Sequence, residues 1–125
     1  MIVGIGTDIV QIPRIDKLLK LHKQRFVRRI LSENEISKMM SLSKEQHSNF
    51  IAKRFAAKEA ISKALGIGIG RAFGFRDISI LNDSLGKPSV DITSPSFTKY
   101  PQIKIHISIS DDYPISVAFA IASTV

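Results

Sequence analysis

The middle of the chain reads Lys53-Arg54-Phe55-Ala56-Ala57-Lys58-Glu59-Ala60-Ile61-Ser62-Lys63-Ala64-Leu65-Gly66. This stretch predicts a helix over residues 49–65 that ends at Gly66, because glycine readily adopts the left-handed conformation at a helix C-terminus. Lys63 follows Glu59 by one helical turn, and a surface ion pair is the ordinary explanation of that spacing. Phe55, one turn before Glu59, instead predicts a half-buried carboxylate, which needs a partner such as a metal ion.

A second informative stretch near the start of the chain reads Gly4-Ile5-Gly6-Thr7-Asp8-Ile9-Val10. Residues 1–6 predict a short buried strand whose glycines let a backbone or a ligand come close. On position alone, a cap of the next turn explains Asp8 slightly better than a ligand does. The third glycine of a dinucleotide-binding motif is missing. Together, however, Asp8 and Glu59 could share a hard cation, and the basic residues that flank Glu59 suit a phosphorylated ligand.

The remaining periodicities predict an α+β fold in which helices follow a short N-terminal strand and precede an antiparallel sheet. Apolar spacing and a Ser32-x-x-Glu35 capping box predict three helices, over residues 14–31, 32–40 and 49–65. Alternating or apolar runs bounded by turn residues predict four further strands, over residues 77–81, 89–93, 104–110 and 115–122. No repeat or long linker divides residues 1–125, so a single domain is expected.

Composition narrows the class of protein further. The chain has 125 residues, 44% of them hydrophobic, and no cysteine, which excludes disulfides, a thiolate nucleophile and a cysteine zinc site. A core of this size is small, and oligomerisation would bury more surface. Neither a signal peptide nor a membrane-spanning apolar run is recognisable, so a cytoplasmic protein is expected. The formal net charge of +7 predicts an acidic partner: nucleic acid, an anionic membrane, an acidic protein or a polyphosphate ligand.

Most of the excess positive charge lies on the predicted helix over residues 14–31. Its basic residues are Arg14, Lys17, Lys20, Lys23, Arg25, Arg28 and Arg29, against the single acidic residue Asp16. Phe26 alone is available for base stacking, and the chain has no tryptophan to anchor a membrane helix. An acidic protein partner therefore competes with nucleic acid, a membrane and an ordinary solvated face.

Two further patterns are weak by themselves. Gly66, Gly68 and Gly70 could bring backbone amides to a phosphate, but the Gly-Lys-Ser/Thr ending of a P-loop is missing, and a flexible linker explains them equally well. His106 alternates with serines along one strand face, which suits either solvent or a ligand groove. No nucleophile–base pair can be assigned, and the histidines are too scattered to suggest a zinc site.

Taken together, these motifs resemble the holo-[acyl-carrier-protein] synthase family, the small bacterial type of phosphopantetheinyl transferase, along the whole chain. The resemblance is carried by Gly4–Val10 with Ile12, Arg14 and Ile15, by Phe55–Ala60 with Lys63, Ala64 and Gly66, by Asp83-x-x-Gly86-Lys87-Pro88, and by His106–Ser110. One departure is that Asp111 follows Ser110 where many relatives have a second histidine, so no contact of that histidine is transferred to this chain.

The resemblance implies transfer of the phosphopantetheine arm of coenzyme A to a serine of apo acyl carrier protein, in support of fatty acid biosynthesis. It further implies a requirement for Mg²⁺, release of adenosine 3′,5′-bisphosphate and a homotrimer with active sites between subunits. Asp8 and Glu59 would hold Mg²⁺, Lys63 would assist on the phosphates, and Glu59 would accept the serine proton directly or through a water. Residues bordering coenzyme A would be Arg54, Phe55, Gly66, Lys87, Pro88 and His106. Residues contacting the acidic carrier protein would be Arg14, Arg25 and Arg28.

Two other hypotheses remain in competition with the transferase. A basic nucleic-acid-binding module would bind with a steep salt dependence and would not need Asp8. A non-catalytic adaptor would dock an acidic protein through Arg14 and Arg25 and would be indifferent to Glu59. The transferase is favoured because it alone explains both carboxylates, the lysines and the basic helix together, and it predicts no nucleic-acid or membrane partner.

Overall fold

The fold is α+β, as predicted, and the computed structural model describes residues 1–68, 74–93 and 102–125. The helices are α1 (Ile12–His22), α2 (Gln24–Ile30), α3 (Glu33–Met40) and α4 (His47–Leu65), with short 3₁₀ turns at Lys44–Gln46 and Phe75–Asp77. The strands are β1 (Ile2–Gln11), β2 (Ile78–Asn82), β3 (Pro88–Ile92), β4 (Ile103–Asp112) and β5 (Ile115–Thr124). Within the described residues, no helix is long and apolar enough to cross a membrane.

Within the described residues, the strands form two antiparallel sheets rather than the one expected. The larger has the order β1-β5-β4, so the first strand pairs with the last: Asp8 lies opposite Ala118, which lies opposite Ile109. The hairpin of β2 and β3 forms a separate two-stranded sheet. The N-terminal strand, which the sequence did not assign to a partner, is therefore part of the main sheet.

Strand β1 corrects the prediction of a short buried strand over residues 1–6. It continues to Gln11 and is covered on one face only, where Gly6 and Val10 are buried. Ile5 and Ile9 on the other face are 60% and 64% exposed. The cause is the layering: α4 packs against β1 and β5 on one face of the sheet, and in the described residues nothing covers the other.

The predicted helix over residues 14–31 is two helices, α1 and α2, which meet at Lys23. The backbone there turns with φ 49° and ψ −125°, outside the helical region. The buried apolar residues Ile15, Phe26 and Ile30 still follow helical spacing on either side, so the periodicity identified the elements but not the break. Because neither glycine nor proline marks this position, the sequence offered no signal for it.

The local sequence signals for the ends of two helices are confirmed. The capping box of α3 is present: Ser32 N–H donates to Glu35 Oε1 at 2.9 Å, and Glu35 N–H donates to Ser32 Oγ at 3.4 Å. Gly66 ends α4 with φ 70°, as predicted. Helix α4 begins at His47, two residues earlier than expected. Gly70, the last glycine of the predicted flexible connection, lies outside the described residues.

Two glycines of β1 allow α4 to pack directly on the strand. A β-carbon at Gly4 would lie 1.8 Å from the carbonyl oxygen of Ala64, and one at Gly6 would lie 2.0 Å from that of Ala60. No side chain fits at such distances, so the expectation of a close approach is confirmed, with the helix backbone as the approaching group. This contact holds the strand that carries Asp8 against the helix that carries Glu59.

Candidate active site

Asp8, Glu59 and Lys63 come together where β1 packs against α4. Lys63 Nζ lies 3.2 Å from Asp8 Oδ1 and donates a second hydrogen bond to the carbonyl oxygen of Thr7 at 2.9 Å. The interpretation of Asp8 as a cap is wrong, because α1 begins at Ile12 without a side-chain cap and Asp8 lies within β1, facing α4. The spatial grouping inferred from the two motifs is thus present.

Glu59 is half-buried, as its neighbour Phe55 suggested. Burial raises the pKa of its carboxyl group, and the negative charge of Asp8 raises the pKa further, while the positive charge of Lys63 partly offsets both effects. Two carboxylates in one half-buried place repel each other, so a cation between them would lower the free energy of the ionised pair.

The donor set at this place fits Mg²⁺ rather than a metal that needs a protein cage. In the part of the chain that the structure describes, no three His, Cys, Asp or Glu side chains gather as a metal site. Mg²⁺ typically takes one or two protein carboxylates and fills its other positions with water and substrate phosphates. Asp8 and Glu59 could therefore hold Mg²⁺ while leaving room for a phosphorylated substrate.

The causes of the shift in Glu59 predict how neighbouring substitutions move its titration in metal-free protein. Lys63→Met should raise the pKa of Glu59 further, because it removes the charge that favours ionisation. Asp8→Asn should lower it, because it removes the repelling charge. Carboxyl-carbon NMR titration of Glu59 in both variants measures the two shifts, and Lys53→Met, on another face of α4, is the control. Shifts of the same sign in both variants would contradict this electrostatic account.

The other basic residues of α4 do not face the carboxylates. Lys58 is 0% exposed and bonded inside the core, and Arg54 is 6% exposed, with its guanidinium 4.2 Å from the Phe50 ring centroid. Lys53 pairs with Asp111 at 3.8 Å. Within one chain these three residues therefore do not gather with Lys63, because neighbours along a helix point in different directions.

Three of the residues expected to border coenzyme A lie in one groove of about 550 Å³ between the β2–β3 hairpin and β4. Lys87 and Pro88 line its hairpin side, and His106 lines its β4 side. His106 Nε2 lies 3.2 Å from Ser123 Oγ. Lys104 also lines the groove and was not assigned from the sequence. Its alternation with His106 was the signal that could have identified it.

The other expected coenzyme A contacts lie elsewhere. The ring of Phe55 stacks on that of Phe75, with their centroids 5.3 Å apart, and Gly66 caps α4 just after Lys63. Arg54 donates to Asn82 Oδ1 at 2.8 Å instead of facing the groove. Neither Asp8 nor Glu59 is among the residues that line the groove. Within one chain, the carboxylate pair and the groove are two separate places.

The expected carrier-protein contacts form an exposed basic surface, defined as Arg14, Arg25 and Arg28. All three side chains are exposed, and none makes an ion pair within the described residues. Lys20, by contrast, pairs with Asp16 at 2.9 Å.

Asp111, the departure from the family pattern, ties β4 to α4. Its Oδ2 accepts a hydrogen bond from Asn49 Nδ2 at 3.1 Å, and its Oδ1 lies 3.8 Å from Lys53 Nζ. A structural contact therefore occupies the position at which the resemblance leads one to expect a second histidine.

Comparisons with known proteins show the family to which the chain belongs. A family model described as the 4′-phosphopantetheinyl transferase superfamily matches residues 4–118. A holo-[acyl-carrier-protein] synthase of Orientia tsutsugamushi (strain Ikeda) is 49% identical over 128 residues, covering 98% of each chain. The crystal structure of holo-[acyl-carrier-protein] synthase from Neisseria meningitidis superposes with a TM-score of 0.89 at 42% identity, covering 99% of this chain and 100% of that one.

A third relative is a holo-(acyl-carrier-protein) synthase from Bacillus anthracis, solved in complex with CoA (3′,5′-ADP). It superposes with a TM-score of 0.86 at 42% identity, covering 100% of this chain and 99% of that one. The chain belongs to the 4′-phosphopantetheinyl transferase superfamily. The enzyme class predicted from the two motifs, a small phosphopantetheinyl transferase of the holo-[acyl-carrier-protein] synthase type, is confirmed.

Proposed function

We propose that this protein, as one domain over residues 1–125, transfers the phosphopantetheine arm of coenzyme A to a serine of apo acyl carrier protein, with Mg²⁺. The observation that carries the proposal is the meeting of Asp8, Glu59 and Lys63 at the contact between β1 and α4. The coenzyme A ligand of the Bacillus anthracis relative supports the choice of donor substrate. We infer that the protein acts in the cytoplasm and supports fatty acid biosynthesis.

In the proposed mechanism, Glu59 accepts the proton of the serine hydroxyl while the serine oxygen bonds to the phosphorus of the phosphopantetheine arm. The bond between that phosphorus and the bridging oxygen of the pyrophosphate breaks, and adenosine 3′,5′-bisphosphate leaves. A raised pKa makes Glu59 a stronger base than an ordinary glutamate. Lys63 places its ammonium group beside Asp8, where it can contact the phosphate oxygens. Bound Mg²⁺ would neutralise negative charge on the pyrophosphate.

We also propose a homotrimer in which the groove of one subunit completes the site of the next. The uncovered face of the main sheet carries apolar residues on two of its three strands: Ile5 and Ile9 on β1 lie beside Val117 and Phe119 on β5, and all four are exposed. Exposed apolar residues grouped in this way are typical of an interface. Separation of the groove from the carboxylate pair within one chain supports a site shared between copies.

The test is mass spectrometry of an apo acyl carrier protein after incubation with this protein, coenzyme A and Mg²⁺. A gain equal to the mass of the phosphopantetheine arm, absent in a sample with EDTA, is the expected result. Unchanged mass with co-elution of the two proteins on a sizing column would favour the adaptor instead. Unchanged mass without co-elution would favour the nucleic-acid-binding module.

The exposed basic surface should raise the rate at which the acidic carrier protein associates with the enzyme. A variant with Arg14→Ala, Arg25→Ala and Arg28→Ala should lose about tenfold in kcat/KM for the carrier protein at low ionic strength, because steering by opposite charge raises the association rate. The loss should shrink as salt is added, since exposed charges are screened. Steady-state kinetics at two salt concentrations measures both effects, with Lys38→Ala on α3 as the control. A loss independent of salt would contradict the steering role.

A further inference from the structure

The core of the molecule contains a buried ion-pair cluster, defined as Glu35 and Lys58 with the groups they bond. Both side chains are 0% exposed. Besides its contact with Glu35, Lys58 Nζ donates to the carbonyl oxygens of Ile30 at 2.7 Å and Phe75 at 2.9 Å. An ammonium group has three N–H donors, so every one of them is used.

The carboxylate of Glu35 extends the cluster to the β2–β3 hairpin. Its Oε2 accepts the backbone N–H of Ile80 in β2 at 3.0 Å, and its Oε1 accepts that of Ser32. Ser79 Oγ donates to Ser32 Oγ at 2.6 Å. The cluster thus joins helices α3 and α4 to strand β2 through side-chain contacts.

In the part of the chain that the structure describes, no backbone ladder joins the hairpin to the main sheet, so side-chain contacts hold it in place. In the described residues β2 and β3 pair only with each other. The hairpin nevertheless carries Lys87 and Pro88, which line one side of the groove, while β4 of the main sheet supplies the other side. The width of the groove is therefore set by whatever holds the hairpin against the helices.

A buried ion pair of this kind is poorly explained by stability alone. The desolvation of two charges commonly cancels their attraction, and apolar replacements of the whole pair are often neutral or stabilising. The hydrogen bonds to Ile80 and Phe75 are directional, so they specify one position of the hairpin. Apolar packing alone is not directional in this way. Phe75 also stacks on Phe55, so the same bonds set a contact beside the catalytic face of α4.

We propose that Glu35 and Lys58 are positioning residues for coenzyme A binding, which they serve by fixing the hairpin at the groove. The inference rests on the proposed placement of coenzyme A in that groove. Without the pair, the hairpin samples positions in which Lys87 and Pro88 are out of reach. If about one tenth of the molecules keep the competent position, the apparent dissociation constant rises about tenfold.

The test compares KM for coenzyme A with kcat in the full-length enzyme at saturating carrier protein. Glu35→Gln leaves the buried Lys58 without its counter-charge and weakens folding, so the main variant is Glu35→Met with Lys58→Met, which removes both charges. It should raise KM for coenzyme A about tenfold and leave kcat within about twofold. A purely structural role would instead lower the amount of active enzyme, and so apparent kcat, without changing KM. The control is Ile51→Val, a core change in α4 that makes no bond to the hairpin.

Lys87→Ala separates failure of this inference from failure of the proposed groove. If Lys87→Ala raises KM for coenzyme A and the double variant does not, the positioning role is overturned. If Lys87→Ala itself leaves KM unchanged, coenzyme A does not bind in the groove and the proposed placement fails. A double variant that does not fold would also overturn the inference, because the pair would then hold the core rather than the hairpin.

Discussion

Replacing Glu59 with glutamine should lower the rate of phosphopantetheine transfer by about a hundredfold to ten-thousandfold, the range for loss of a general base. Glutamine keeps the shape of the side chain but accepts no proton and binds a divalent cation less well. The half-buried position makes the effect large, because bulk water has limited access to take over either role. The fold should persist, since removing a carboxylate that lies near Asp8 relieves repulsion.

Steady-state transfer assays together with thermal unfolding measure this prediction. Glu45→Gln is the matched control, because it removes an exposed carboxylate that lies outside both motifs. Near-normal, Mg²⁺-dependent transfer by the Glu59→Gln variant would show that this carboxylate is neither base nor metal ligand.

Replacing Gly6 with alanine should destabilise the protein by about 3 kcal/mol, at the upper end of the usual cost of overpacking. The added β-carbon would lie 2.0 Å from the carbonyl oxygen of Ala60 and 2.8 Å from the backbone nitrogen of Ala64. Both are helix backbone atoms, so no side-chain rotation can relieve the clash and α4 must move away from β1. Because Asp8 and Glu59 lie on opposite sides of this contact, activity should fall more than the folded fraction does.

Urea unfolding and transfer assays on the same preparation compare the two losses. Gly68→Ala is the matched control, because nothing lies within 4 Å of a β-carbon built at Gly68. An unfolding free energy for Gly6→Ala equal to that of Gly68→Ala would refute the close packing of α4 on β1.

The candidate site could be predicted from the sequence to the extent that its signals were local or carried by motifs. The helix around Glu59, its end at Gly66 and the capping box at Ser32 each depend on residues within one or two turns, and each is present. Asp8 and Glu59 were paired because two separate motifs occur in the order typical of one family. The hairpin and the alternation on β4 were likewise readable over a few residues.

What the sequence could not reveal depends on partners that are distant in the chain. Lys58 and Lys63 look alike in the helix, and only the position of Glu35 shows that Lys58 belongs to the core. The exposed face of β1 follows from its pairing with β5, more than a hundred residues later. The break at Lys23 lacks a glycine or proline, so tertiary packing decided it against the local pattern.

The adjacency of Lys58 and Glu59 limits which insertions and deletions helix α4 can accept. Successive side chains on an α-helix are rotated by about 100°, so Glu59, the proposed catalytic group, and Lys58, a member of the core ion pair, point in different directions. Inserting or deleting a single residue between Arg54 and Lys58 would turn the first part of the helix relative to the second. Arg54 would then leave the hairpin even if Lys58 kept its place. Helix α4 should therefore accept no change of length between these two residues, which a deep insertion–deletion scan would reveal.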